Sequence, residues 1–108
     1  MTTIAVDQDV LTLVNVFTVP PDRQQQLADV LVEATRLVMH QLPGFVSANI
    51  HRSLDGTKVV NYAQWRRLED FEAMLRDPIA QQHMQAAARL ATSVEPHLYE
   101  VVFTDGSA

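Results

Sequence analysis

The spacing of apolar positions changes several times along the chain, and each change marks an element. From Val10 to Val19 the run VLTLVNVFTV is rich in β-branched and aromatic residues, which predicts a strand. Pro20-Pro21 ends it, because proline cannot continue a ladder but can open a helix. Asp22 followed by Gln25 resembles a capping box. Leu27, Val30, Leu31, Ala34, Leu37 and Val38 then recur at spacings of three and four, which predicts an amphipathic helix closed by Pro43-Gly44.

FVSANIHRSL and TKVVNYAQWR flank Asp55-Gly56, a pair suited to the positive φ values of a two-residue type I′ turn. Such a turn sets Arg52 opposite Val59, Ile50 opposite Asn61, Ala48 opposite Ala63 and Val46 opposite Trp65, all eight on one face. Phe45, Ser47, Asn49 and His51 then share the other face with Arg66, Gln64, Tyr62 and Val60. A helix is expected from about Leu68 with Phe71 and Leu75 inward, restarting at Asp77-Pro78 with Asp77 as cap. Its second part aligns Ile79, His83, Ala86 and Leu90 in one stripe. After Pro96, HLYEVVF reads as the last strand.

The order β-α-β-β-α-β is the split βαβ of the ferredoxin-like sandwich, an α+β fold with helices on one face of an antiparallel sheet. The opposite face, with Asn49, His51, Tyr62 and Gln64, is neither a good core nor plainly solvated. Pairing with a second sheet across a two-fold axis would bury it, so a homodimer through that face is expected.

A chain of 108 residues is short for more than one domain. The expected organisation is an N-terminal arm over 1–9, the folded domain over 10–103 and a flexible tail over 104–108. Eight basic against thirteen acidic residues give a net charge of −5, which counts against nucleic acid as a partner. The absence of cysteine removes disulfides, thiolate nucleophiles and thiolate-ligated metals or haem. MTTIAVDQDV has neither the basic nor the apolar region of a signal peptide, and no apolar run is long enough to span a membrane. A cytoplasmic protein is the expectation.

Asn61 and Trp65, four apart in one strand, project together toward the helices, and an amide in that layer must find partners or cost on the order of 1–3 kcal/mol. Asn15 lies on one side of the first strand with Leu11, Leu13 and Phe17. If that side faces the helices, two amides and an indole N–H converge on an apolar pocket that suits a flat, partly phenolic molecule. The plainer reading is that the asparagines satisfy backbone or each other and that Trp65 is core. His83 sits on an apolar stripe, where a histidine is more often a partly buried side chain than a base, although an imidazole suits proton abstraction near neutrality. His51 fits an interface better, and His40 and His97 lie near element ends. No His-x-His or His-x-x-x-His spacing exists for a metal, and no Gly-rich phosphate loop for a dinucleotide.

The run PGFVSANIHRSLDGTKVVNYAQW, with LVNVFTVPPDRQQQLADVL before it and EPHLYEVV after it, resembles the antibiotic biosynthesis monooxygenase domain family over about residues 10 to 103. The resemblance implies a ferredoxin-like dimer forming an α+β barrel. It also implies a small oxygenase that turns an anthrone into a quinone with dioxygen, without metal, flavin or haem. By that resemblance Asn61 and Trp65 match an asparagine and a tryptophan implicated in catalysis, with His83 a further candidate base. Asn15, Phe17, Ile50, Phe71 and Met74 would line the substrate pocket. Phe71 stands where those enzymes carry a tyrosine. Haem-degrading monooxygenases share the fold and use an asparagine, a tryptophan and a histidine. Asn15 and His83 match two of these, and Met74 stands in place of the tryptophan. Haem is thus an alternative ligand, and a non-enzymatic small-molecule binder a third reading.

Overall fold

A computed structural model describes residues 1–107. Strand β1 (Leu11–Thr18) leads through a 3-10 turn at Pro21–Arg23 into helix α1 (Gln24–Leu37). A second 3-10 turn, Met39–Gln41, precedes the hairpin of β2 (Phe45–Arg52) and β3 (Lys58–Trp65). Helices α2 (Leu68–Arg76) and α3 (Pro78–Leu90) follow, then β4 (Ser93–Tyr99). The sheet order is β2-β3-β1-β4, antiparallel throughout, as the split βαβ reading requires. Helices α1 and α2 pack on the sheet and α3 packs on both of them.

Local signals fail at several places. Asp22 caps nothing: it lies inside the 3-10 turn, so it lacks the extended conformation of a cap. The glutamines tie α1 to the hairpin instead, with Gln24 Nε2 donating to the Ser53 and Lys58 carbonyls at 2.9 and 3.0 Å and Arg52 donating to Gln25 Oε1. The hairpin turn is wider than two residues, because only Gly56 has positive φ (81°) and a type I′ turn would need it at Asp55 too. Ser53 N–H instead donates to the Lys58 carbonyl, and Gly56 N–H to the Ser53 carbonyl. The wider loop has the same centre, so Arg52↔Val59, Ile50↔Asn61 and Ala48↔Ala63 hold as predicted.

The register breaks at the other end of the hairpin. A bulge between Phe45 and Ser47 sets Phe45, not Val46, opposite Trp65. Gly44 (φ 82°) makes the entry, and its carbonyl accepts from Arg66 N–H at 2.7 Å. Phe45 therefore moves to the helix-facing side, edge-on to Trp65 at 5.7 Å. The stripe on α3 is also rotated: Ala80 and Ala87 are buried, whereas Ile79 is 51% exposed. Leu75, expected inward, is 41% exposed. The last strand begins before Pro96, which pairs with Asn15. Proline is tolerated there because β4 is an edge strand.

Asp77 does cap α3, accepting from Ile79 N–H at 3.0 Å and Ala80 N–H at 2.9 Å. Asp77→Ala is expected to cost about 1 kcal/mol. In a domain of this size that lowers Tm by roughly 4 °C. Asp77→Asn should recover most of the loss in the same thermal melt.

At the hairpin loop, Asp55 accepts from the Thr57 and Ser53 hydroxyls, each at 2.7 Å, and from Thr57 N–H at 3.0 Å. The Thr57 hydroxyl, then the Ser53 hydroxyl and the Thr57 N–H, pull its pKa from 3.8 down to about 2. A carboxylate depressed on folding adds stability above its unfolded pKa of about 4 and loses it as pH falls through the folded value. The loop should therefore loosen between about pH 4 and pH 2. NMR titration should place the Asp55 midpoint near 2, with loss of Thr57 amide protection in that window. A midpoint near 4 would contradict these hydrogen bonds.

The outer sheet face is partly covered by the chain's own arm. Asn49 Nδ2 donates to Thr2 Oγ1 at 2.6 Å and to the Tyr62 carbonyl at 3.0 Å. Gln64, 1% exposed, accepts from Ser47 Oγ and donates to the Thr3 carbonyl at 2.7 Å. Two of the polar residues that motivated a second sheet are thus satisfied within one chain.

Candidate functional site

The core is divided. One cluster joins Phe17, Val19, Leu27, Ala28, Val59 and Ala87. The other joins Val38, Trp65, Met74 and Ala80, with Met39, Phe45, Phe71 and Met84 packed against them. Residues of both clusters line a cavity of about 530 Å³ between sheet and helices. That volume is within the range of small-molecule sites.

Strand alternation brings the polar groups to its floor. Asn15 on β1 and Asn61 on β3 are directly paired across the sheet, and both side chains line the cavity. The Oδ1 atom of each is buried and makes no hydrogen bond. Leaving a buried amide oxygen unpaired costs on the order of 1–3 kcal/mol, and each such atom in a folded protein calls for an explanation. Neither oxygen is satisfied by backbone or by the other asparagine. Trp65, also lining the cavity, is 2% exposed, with its ring held edge-on by Phe45. His83 reaches the cavity from α3.

Of the eight residues singled out from the sequence, Asn15, Phe17, Asn61, Trp65, Phe71, Met74 and His83 line this cavity. Ile50 does not: it sits beside Asn61 in the sheet but packs into the first cluster against Phe17, Leu27 and Val59. Sequence reasoning missed Phe45, Thr35, Met39 and Met84. Strict alternation put Phe45 on the wrong face, and only the bulge corrects it. Thr35 and Met39 continue the spacing of four from Leu31, a signal that was available. His97, placed near an element end by the sequence, is exposed but also borders the cavity. Among the described residues no three metal-ligating side chains converge. Every lining residue is free of carboxylate, ammonium or guanidinium, so the cavity offers apolar contact with a few amide, hydroxyl, indole and imidazole groups.

Known proteins resemble this chain over most of its length. The family model described as antibiotic biosynthesis monooxygenase matches residues 10–89. The chain is 46% identical over 107 residues to tetracenomycin-F1 monooxygenase of Streptomyces glaucescens, covering 99% of this chain and 95% of that one. SnoaB, a cofactor-independent oxygenase from Streptomyces nogalater, superposes with a TM-score of 0.77 at 27% identity, over 90% of this chain and 97% of SnoaB. The ActVA-Orf6 monooxygenase of Streptomyces coelicolor, solved with nanaomycin D, has a TM-score of 0.82 at 26% identity, over 91% of this chain and 92% of its own.

Proposed function

The chain belongs to the antibiotic biosynthesis monooxygenase family, and we propose that it oxidises a polycyclic phenolic substrate of the anthrone type to a quinone with dioxygen. That it is a monooxygenase working without a cofactor follows from its relatives. The substrate class and product are our reading. The observation that carries them is the pair of unpartnered carboxamides, Asn15 and Asn61, on the floor of an otherwise apolar cavity beside Trp65.

An anthrone carbon between two aromatic rings loses a proton to give a carbanion delocalised onto the ring oxygen. The anion passes one electron to dioxygen, the radicals combine, and the protonated hydroperoxide loses water to leave a carbonyl. One dioxygen is consumed, and its second oxygen atom leaves as water. The enzyme has to hold the ring, exclude water and favour the anion. Asn61 and Asn15 are suited to donate from their amide N–H groups toward the ring oxygen as its charge develops. Trp65 offers an indole N–H on a flat apolar body. His83 is the cavity residue best suited to take the proton. Phe71 gives ring contact where a tyrosine would give a hydrogen bond.

Haem fits this cavity poorly. Its carboxylates would meet no lysine or arginine among the lining residues, although His83 could reach an iron. Titration with haem should give no Soret shift at micromolar concentration. The decisive experiment is aerobic spectroscopy of metal-stripped protein with a hydroxylated anthrone, against a protein-free blank. Protein-dependent quinone formation that stops under nitrogen supports the reading, and a rate equal to the blank overturns it. A homodimer is also part of our reading. The outer face beyond the arm, with half-buried Val14, Val16, Val60 and Tyr62, is where a second copy would pair. A monomer by light scattering would remove it.

A further inference from the structure

The cavity is built asymmetrically. The chain has four methionines, and all but the initiator line this cavity. They come from three separate elements: Met39 from the turn after α1, Met74 from α2 and Met84 from α3. All three pack in the cluster around Trp65, together with Phe45 and Phe71. At the other cluster the cavity is lined by Phe17, Leu31 and Ala87, none of them a thioether. Methionine is unbranched and polarizable, so it specifies a core poorly, but it fills irregular gaps and makes favourable contacts at the edges of aromatic rings. Three such side chains in one cluster make a wall that can repack around a flat guest. The hydrogen-bonding amides, by contrast, sit on the strands and are fixed by the sheet register.

We infer that Met39, Met74 and Met84, with Phe45 and Phe71, form a subsite for the fused aromatic rings remote from the reacting carbon. This wall sets how many rings the enzyme accepts. The oxygenated ring lies at the Asn15–Asn61 floor, and rings added beyond it enter the thioether wall. The inference rests on the aromatic substrate class proposed above.

Trp65 is the chain's single tryptophan, lines the cavity and shares a cluster with this wall, so its fluorescence reports occupancy. The probes are two unreactive quinones, a three-ring dihydroxyanthraquinone and a four-ring dihydroxynaphthacenequinone. Both should quench the wild-type protein. Leucine is branched and stiffer than methionine, so a Met39→Leu, Met84→Leu double variant should narrow the wall at two half-buried positions. Its ratio of four-ring to three-ring Kd should rise at least about fivefold, well under the tenfold that 1.4 kcal/mol represents. Met84→Leu alone should move the ratio the same way by less, which covers failure of the double variant to fold. An unchanged ratio in a variant that melts like wild type overturns this inference and leaves the proposed function standing. Failure of either quinone to quench the wild-type protein overturns the substrate class, and the inference with it.

Discussion

Asn61→Ala is expected to lower kcat toward an anthrone by about 10²- to 10³-fold, the usual cost of removing one donor aimed at developing negative charge. The melting temperature should fall little. Asn61 Oδ1 is already buried without a partner, so the folded state gains no hydrogen bond from it that truncation could remove. This combination separates a catalytic amide from a structural one, because a structural asparagine would lose stability first. Asn15→Ala should behave alike but more mildly. The Asn15→Ala, Asn61→Ala double variant should lose less than the product of the two single effects, since the two amides are paired on adjacent strands and, in our proposal, serve one oxygen. Trp65→Phe tests the indole donor while keeping a ring in the second cluster. A turnover equal to wild type in both Asn61→Ala and Trp65→Phe would remove these residues from the mechanism.

Gly44→Ala is expected to be the most damaging single methyl in the protein. At φ +82° a side chain is strained by roughly 1–2 kcal/mol even in open space. Space is lacking as well: an added Cβ would lie 2.2 Å from Asp70 Cγ and 2.4 Å from its Cβ. Overpacking of that kind adds about 1–3 kcal/mol. Together these approach the lower end of the 5–15 kcal/mol that holds a typical domain folded. The site would be lost with the fold, because Gly44 enters the bulge that turns Phe45 toward Trp65. Asp70→Ala should not rescue the variant, because its own Cβ still collides. Asp70→Gly should recover part of the stability in urea unfolding, leaving the backbone strain. Equal destabilisation in both backgrounds would show that α2 yields to the new methyl.

Much of this was legible from local patterns. The α1 stripe (except Leu37, which is 59% exposed), the Asp77 cap and the hairpin centre each depend on residues within one or two turns of each other, where propensity and turn chemistry act directly. The pairing Ile50↔Asn61 survived a wrong turn type because a two-residue and a four-residue loop share a midpoint. Asn15 and Asn61 could be named as candidates because polar residues in apolar strands are conspicuous at any distance.

What the residues alone determined, then, is the order of elements, the face of each strand away from irregularities, and the membership of the family. What the tertiary structure decided is everything that depends on contacts between distant segments. It placed Asn15 directly beside Asn61 and left both Oδ1 atoms without partners. It moved Phe45 across the sheet through one inserted residue, set Ile50 against the first core cluster, and brought methionines from three elements into one cluster with Trp65. It also laid the arm over Gln64 and Asn49. The physical reason is range: periodicity and capping are settled within a few residues, whereas a bulge, a strand register or an unfilled gap is settled by packing among segments that the chain order keeps far apart.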